Sequence, residues 1–242
     1  MLTVKYEFIS RFPGLSEESQ KEEFWIHLQN FYEFLILKNH EGGFFSKSDS
    51  DLILERHIMD SYFFAAKVLD VLRVSRETEF ADVGTGPGLP GYLFFLIGKF
   101  KSVSFIDSQK RKMKHLEEFA RNQKLPGEPR FIYDRAENVK KKFDLVSMRA
   151  AIPYPWSVEV CSGLVKQGGC FVPYLGKLKN LDRIEGEILE RMGFDQQSEF
   201  SIPELNFLGE RNVKVLKKRV QKETGKARLW KVIQKEIREY NG

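Results

Sequence analysis

Apolar residues in the first third of the chain recur every three to four positions, which is the spacing of one face of an α-helix. The first such series consists of Phe24, Leu28, Phe31 and Leu35. Ser16 precedes it and has the hydroxyl of a typical N-cap, so we predict that the first helix begins there. Gly42 and Gly43 interrupt the pattern, and a second helix is predicted from Leu54 to Leu69.

From residue 80 onward the pattern changes to short apolar runs separated by helical segments. These runs predict strands at residues 80–83, 103–106, 131–133, 143–147, 170–174 and 212–220. Strands that alternate with helices are typical of an α/β fold with a doubly wound, mostly parallel sheet. The segment from Ala227 to Tyr240 has apolar residues on one side and basic residues on the other, which predicts an amphipathic helix. The apolar side is formed by Leu229, Ile233, Ile237 and Tyr240. The basic row is Arg228, Lys231, Lys235 and Arg238.

Composition places the chain among soluble globular proteins, with 42% hydrophobic and 30% charged residues in a length of 242. Its two cysteines, Cys161 and Cys170, predict neither a disulfide framework nor a zinc site, and we predict no metal ligands. No secretory or membrane-spanning segment is predicted, so we expect a cytoplasmic protein without a membrane partner. We divide the chain into a helical extension (1–75), a core (76–220) and a basic C-terminal helix (221–242).

Positive charge is concentrated at the C-terminal end. Between Glu210 and Gly242, eleven lysines and arginines stand against four glutamates, whereas the whole chain has a formal net charge of only +5. A surplus of one sign at one end is typical of a surface that binds a polyanion such as RNA. The alternative is a solvated tail that only aids solubility.

The segment from Phe80 to Gly91 predicts a small-molecule site. A short apolar run is followed within eight positions by four glycines, and a further apolar run predicts a helix after them; the glycines are Gly84, Gly86, Gly88 and Gly91. A strand, a glycine turn and a helix form a ligand site at the carboxyl edge of a parallel sheet. Asp107 ends the next predicted strand, where an acidic side chain accepts hydrogen bonds from ribose hydroxyls.

Two features of the turn indicate which nucleoside cofactor it binds. Residues 86–91 match the dinucleotide fingerprint G-x-G-x-x-G, so a nucleotide-dependent dehydrogenase is one alternative. However, Asp82 would repel a pyrophosphate, and would instead hold the amides of the turn or meet a cationic ligand. Pro87 and Pro90 remove amide donors that a phosphate site needs. A cofactor with adenosine at one end and a cation at the other, S-adenosyl-L-methionine, fits better.

Six short motifs occur along the chain in an order that resembles a known family. They are Arg-His-Ile-Met-Asp-Ser at 56–61, Asp-Val-Gly-Thr-Gly-Pro-Gly-Leu-Pro-Gly at 82–91, Asp-Ser at 107–108, Arg-Ala-Glu at 135–137, Ser-Met-Arg-Ala at 147–150 and Gly-Gly at 168–169. The chain resembles the glucose-inhibited division B family over about residues 15–215. Members of that family methylate guanine N7 in bacterial small-subunit (16S) ribosomal RNA. The resemblance implies a class I methyltransferase fold with an N-terminal helical extension.

The residue pattern and the resemblance together give a set of candidate site residues. Those expected to bind the cofactor are Asp82, Gly84, Gly86, Gly88, Leu89, Asp107, Ser108, Ala136, Glu137 and Arg149. The resemblance puts Ala136 and Glu137 beside the adenine and makes Arg149 the candidate catalytic residue, at the edge between cofactor and substrate. Candidate substrate-binding residues are His57, Asp60, Lys177, Lys231 and Lys235. His57 and Asp60 lie three apart and share one side of a helix, where they either face a ligand or serve helix packing.

The implied reaction needs few catalytic groups. Guanine N7 carries its lone pair in the base plane, so it attacks the sulfonium methyl without prior loss of a proton. Catalysis then depends on in-line positioning and electrostatics, with Arg149 bonding guanine O6. Tyr154 and Trp156 either stack on the base or pack in the core or a loop. The expected partner of this monomer is small-subunit ribosomal RNA or the 30S particle. A methyltransferase for another RNA and a non-catalytic RNA-binding or ribosome-assembly protein are the alternatives.

Overall fold

A seven-stranded sheet forms the centre of the protein in the computed structural model, which describes residues 3–12, 21–123, 127–178, 181–219 and 226–241. The strands are β1 (Glu79–Val83), β2 (Ser102–Ile106), β3 (Arg130–Ile132), β4 (Phe143–Arg149), β5 (Val165–Leu175), β6 (Phe194–Ser201) and β7 (Asn212–Lys218). Their order is β3-β2-β1-β4-β5-β7-β6. Strands β1 to β5 are parallel, and β7 is antiparallel to both of its neighbours.

Helices cover both faces of this sheet. They are α1 (Thr3–Arg11), α2 (Glu22–Gly42), α3 (Asp60–Val71), α4 (Gly91–Ile97), α5 (Lys110–Arg121), α6 (Trp156–Cys161), α7 (Asp182–Met192) and α8 (Trp230–Asn241). Neighbouring strand residues such as Leu145 and Val146 belong to two different apolar clusters, because successive side chains of a strand point to opposite faces. Helices α1 to α4 contribute to one cluster and α6 to α8 to the other. The predicted doubly wound, mostly parallel α/β fold is therefore confirmed.

The N-terminal helices pack against the core through aromatic side chains. The rings of Phe8 and Trp25 join α1 to α2, with centroids 5.6 Å apart. Phe31 of α2 stacks on Tyr92 of α4 with a centroid distance of 4.1 Å. Among the described residues, no helix is both long and apolar enough to cross a membrane. The division of the chain at residues 75 and 221 stays a prediction.

The pattern did not predict helices α1 and α6 or strand β6. Helix α1 carries only two fully buried side chains, Val4 and Phe8, which is too short a series to indicate a helix. Strand β6 is an edge strand in which only Phe194 is buried, so its polar sequence lacks apolar alternation. Ser16, the predicted N-cap, lies outside the described residues, as does Val220 at the predicted end of β7.

The predicted second helix contains an irregular turn. Residues Leu54–Met59 form a π-helix that continues into α3. The backbone N–H of Asp60 donates to the carbonyl of Glu55, five residues earlier. In a regular α-helix that N–H would bind the carbonyl of Arg56, four residues earlier. The π turn therefore frees the Arg56 carbonyl from this bond for another donor.

Candidate functional site

A cavity of about 550 Å³ opens at the carboxyl ends of β1, β2 and β4. Because the carboxyl ends of parallel strands meet at one edge of a sheet, residues far apart in the sequence come together there. The predicted site residues that line the cavity are His57, Gly84, Gly86, Leu89, Asp107, Ser108, Ala136, Glu137 and Arg149. Its dimensions and its lining therefore suit a nucleoside cofactor rather than a single ion.

Two glycines give the turn its close approach to the cavity. Gly84 and Gly86 have φ angles of +69° and +55°, a region that favours glycine. A Cβ on Gly84 would lie 2.2 Å from the Cβ of Ala151, so only glycine lets the two segments meet. A Cβ on Gly86 would meet no atom within 4 Å, and this residue lines the cavity. The open space beside Gly86 is where a cofactor can approach the backbone.

Asp107 links the end of β2 to the glycine turn. Its Oδ2 accepts a hydrogen bond from the Gly86 N–H at 2.8 Å, and its Oδ1 accepts one from the Gln109 N–H at 2.7 Å. A carboxylate oxygen accepts more than one hydrogen bond, so Asp107 keeps acceptor capacity for ribose hydroxyls. This geometry fits the predicted role and adds a second one, the positioning of the turn.

Asp82 and Gly88 lie outside the set of residues that line the cavity. Asp82 is fully buried and accepts hydrogen bonds from the Gly91 N–H at 2.9 Å and the Ser147 hydroxyl at 2.7 Å. Burial raises the pKa of its carboxyl to about 6. A Cβ on Gly88 would lie 2.7 Å from Leu116 Cδ1. The structure thus gives Asp82 the role of holding the Gly91 amide at the end of the turn, and it gives Gly88 a packing role.

Arg149, at the end of β4, is fixed by the residues around the π turn. Its Nη2 donates to the Arg56 carbonyl at 2.7 Å, the carbonyl that the π turn frees. Its Nη1 donates to the Ser61 hydroxyl at 2.6 Å, and Nη2 lies 3.1 Å from Asp60 Oδ2. Arg149 therefore reaches the cavity edge in a single, firmly held orientation.

Asp60 anchors this arrangement from a buried position. It is 1% exposed and outside the cavity lining, and it accepts hydrogen bonds from the Tyr174 hydroxyl at 2.8 Å and Arg211 Nε at 2.6 Å. Of the two roles considered for Asp60, the geometry favours orientation. Any effect of Asp60 on the substrate would pass through Arg149.

His57 does line the cavity, and its ring stacks on Phe45 with a centroid distance of 3.9 Å. Burial, and next the Arg149 cation, lower the pKa of His57 from 6.5 to about 4. The imidazole is therefore neutral at neutral pH. His57 takes up a proton near pH 6.5 in the unfolded chain but only near pH 4 in the folded protein. The free energy of unfolding therefore falls as the pH is lowered through this range.

A second cavity of about 470 Å³ adjoins the first, and Ala150 and Ile152 line both. Lys177 is among its lining residues, together with the candidate stacking residues Tyr154 and Trp156. The Tyr154 hydroxyl donates to Glu185 at 2.5 Å. The other two predicted substrate lysines, Lys231 and Lys235, are exposed on α8 and line neither cavity.

Helix α8 begins at Trp230 rather than at the predicted Ala227, and two residues just before it also differ from the prediction. Leu229, assigned to its apolar side, is 78% exposed, whereas Ile233 is fully buried. Arg228, assigned to the basic row, is bound to the buried Glu159. In addition, Trp230 lines the first cavity, which the sequence did not predict because nothing in the local pattern distinguishes this tryptophan from a packing residue.

The strand order and the cavity at the carboxyl edge of the sheet define the class I methyltransferase fold. A putative S-adenosyl-L-methionine-dependent methyltransferase from Methanococcus maripaludis is similar with a TM-score of 0.55 and 14% identity, covering 75% of this chain and 94% of that one. Magnesium protoporphyrin IX methyltransferase from Synechocystis was solved with bound S-adenosylmethionine. It is similar with a TM-score of 0.55 and 14% identity, covering 84% of this chain and 99% of that one. These similarities show the fold.

Sequence comparison identifies the family. The family model described as rRNA small subunit methyltransferase G (GidB) matches residues 26–213. The ribosomal RNA small subunit methyltransferase G of Leptospira biflexa is 43% identical over 99% of this chain and 98% of its own length. The corresponding protein of Leptospira interrogans is 38% identical over 96% of this chain and 91% of its own length. The chain belongs to the rRNA small subunit methyltransferase G family, which confirms the resemblance noted in the sequence.

Proposed function

We propose that this methyltransferase transfers the methyl group of S-adenosyl-L-methionine to N7 of a guanine in small-subunit ribosomal RNA. The observation that carries the proposal is the pair of cavities that adjoin at Ala150 and Ile152, directly after Arg149. The first cavity would hold the cofactor and the second would receive the base. The names of the relatives support ribosomal RNA as the substrate class.

The titratable groups near the site fit a reaction without a general base. Guanine N7 presents its lone pair directly, so the transfer needs alignment of N7, methyl carbon and sulfur rather than removal of a proton. Burial raises the pKa values of the Cys161 and Cys170 thiols, so neither thiol readily becomes the thiolate that attack on a pyrimidine carbon requires. This chemistry favours methylation of a ring nitrogen.

Arg149 is the residue that we assign to acceptor orientation. Its side chain is 16% exposed, and it lines the cofactor cavity immediately before the segment shared with the second cavity. Guanine O6 and N7 are neighbouring acceptors, and a guanidinium that donates to O6 fixes the direction of N7. The bonds of Arg149 to Ser61 and to the Arg56 carbonyl hold it in place for this contact.

The test is a methyl-transfer assay with small subunits that lack their natural methylations. We expect labelled S-adenosylmethionine to yield 7-methylguanosine in the small-subunit RNA after nucleoside digestion. Equal activity on free RNA and on 30S particles would leave both as substrates, whereas activity on one identifies it. Another methylated nucleoside would refute the proposal, and RNA binding without any methyl transfer would establish the non-catalytic alternative.

The basic surface that can meet RNA is smaller than the charge count indicates. Among the described residues of this segment, five basic side chains have partners elsewhere in the core: Arg211 with Asp60, Lys214 with Glu185, Lys218 with the Ser162 carbonyl, Arg219 with Asp195 and Arg228 with Glu159. Lys231 and Lys235 are exposed on α8. The Lys235 Nζ lies 3.7 Å from Glu239 Oε1 at the surface. We assign Lys177, Lys231 and Lys235 to phosphate contacts made by a cytoplasmic monomer.

Replacement of both Lys231 and Lys235 by alanine should weaken RNA binding and make the affinity less dependent on salt. The slope of log K against log salt is negative, and each lost phosphate contact reduces its magnitude by about 0.7 to 0.9. Filter binding over a salt series measures this slope. Lys101→Ala is the matched control, because Lys101 is exposed just before β2, at the opposite edge of the sheet. Equal slopes for the double variant and wild type would show that α8 does not contact phosphates.

A further inference from the structure

Helix α8 lies outside the part of the chain that the family model matches, yet it forms part of the cofactor cavity. The match ends at residue 213, and α8 begins at Trp230. The Trp230 side chain lines the first cavity together with Arg135, Ala136 and Glu137. A segment that could be read as an appended tail therefore contributes a large aromatic surface to the site.

A buried ion pair holds the beginning of α8 in this position. Glu159 on α6 is fully buried. Its Oε1 accepts hydrogen bonds from the Arg228 backbone N–H at 2.6 Å and from Arg228 Nε at 2.9 Å, and its Oε2 accepts one from Nη2 at 2.8 Å. Arg191 Nη2 binds the same Oε2 at 2.6 Å. Two residues beyond this anchor the indole reaches the cavity, and Ile233 is fully buried one turn further on.

The strand order shows which part of the cofactor Trp230 would meet. Strand β2 lies between β1, which leads into the glycine turn, and β3, which leads to residues 134–137. Asp107 at the end of β2 suits the ribose, so a cofactor whose cationic end lies at the glycine turn directs its adenine towards the residues after β3. The Arg135 guanidinium lies 5.9 Å from the centroid of the Trp230 ring, which places the indole on that side.

We propose that Trp230 is the outer wall of the adenine subsite and packs against the adenine ring when S-adenosyl-L-methionine binds. Nucleobases stack favourably on aromatic side chains because both present flat, polarisable faces. Tyr240, at the other end of α8, lines the second cavity and packs on Trp156 with a centroid distance of 5.7 Å. Helix α8 thus borders both cavities and belongs to the active site.

The proposal is tested by cofactor binding without RNA, so its failure is separate from a failure of the assignment to ribosomal guanine. Calorimetry with S-adenosylhomocysteine should give a dissociation constant about tenfold higher for Trp230→Ala. Trp230→Phe keeps an aromatic face and should remain within about threefold of wild type. Trp230→Leu keeps apolar volume without that face and should resemble the alanine variant. Val232→Ala is the control, since Val232 is 47% exposed on the same helix and lines neither cavity.

Fluorescence provides a second readout that does not depend on how well α8 stays docked in the variants. The chain has three tryptophans, and Trp25 and Trp156 are buried outside the first cavity. Wild-type emission should change on addition of S-adenosylhomocysteine, and Trp230→Phe should lose most of that change while still binding. An unaltered dissociation constant for Trp230→Ala, or a full fluorescence response in Trp230→Phe, would overturn the proposal.

Discussion

Replacement of Gly84 by alanine is expected to weaken binding of S-adenosyl-L-methionine by about 10- to 100-fold, because the cavity wall must move to admit one methyl group. The new Cβ would lie 2.2 Å from the Cβ of Ala151. Alanine has no flexible end that can turn away, so residues 150–152, which line the cavity, would shift. Isothermal titration calorimetry with the cofactor measures the loss.

Two further variants separate the collision from the strain of a positive φ angle. Gly168→Ala introduces the same kind of strain, about 1 to 2 kcal/mol, at a φ of +76° where a Cβ meets no atom within 4 Å. It lies outside the cavity lining and should leave cofactor affinity unchanged. Combining Gly84→Ala with Ala151→Gly removes the opposing Cβ and should restore a large part of the binding. No recovery in this double variant would mean that the collision is not the cause.

Replacement of Arg149 by lysine is expected to lower kcat for RNA methylation by about 100-fold while the cofactor dissociation constant stays within about threefold. Lysine keeps the positive charge near Asp60 but cannot reach Ser61 and the Arg56 carbonyl at once, because it lacks the planar fork of arginine. Leaving these acceptors unsatisfied should also cost about 1 to 3 kcal/mol of stability. Single-turnover kinetics with saturating RNA and chemical denaturation measure the two effects.

Arg211→Lys is the matched control for this prediction. Arg211 binds the other oxygen of Asp60 at 2.6 Å and does not line the cofactor cavity, so its loss should reduce stability but spare kcat. An equal fall in kcat for the two variants would show that Arg149 acts only through folding. A third substitution, Arg149→Gln, removes a cation that holds down the pKa of His57, which should then rise above its present value of about 4 in an NMR titration.

The sequence was sufficient for features that depend on residues close together in the chain. The glycine turn, the acidic residue ending β2 and the alternation of strands and helices led to the doubly wound fold and to an adenosine cofactor. These features can be predicted from the sequence because a turn with positive φ angles requires glycine, and because β1 and β2 end at the same edge of the sheet. For the same reason Gly84, Gly86 and Asp107 lie together in the cavity lining.

Features that depend on contacts between residues far apart in the sequence could not be predicted. Asp82 lies next to the glycines in the sequence, but only the position of Ser147 on the neighbouring strand shows that its carboxylate points into the protein. Arg228 belongs to a regular basic row, and only the buried Glu159 on another helix reveals it as an anchor. The residues around Trp230 do not indicate that it lines the cavity, because this contact depends on how α8 packs against the rest of the protein.

The π turn at residues 54–59 has a consequence for insertions and deletions rather than for substitutions. A π turn corresponds to an α-helix into which one residue has been inserted. Deleting a single residue there would let the segment close as a regular α-helix and bind the carbonyl that now receives Arg149, with every cavity side chain unchanged. The site therefore constrains the length of this helix as strictly as it constrains the identity of Arg149.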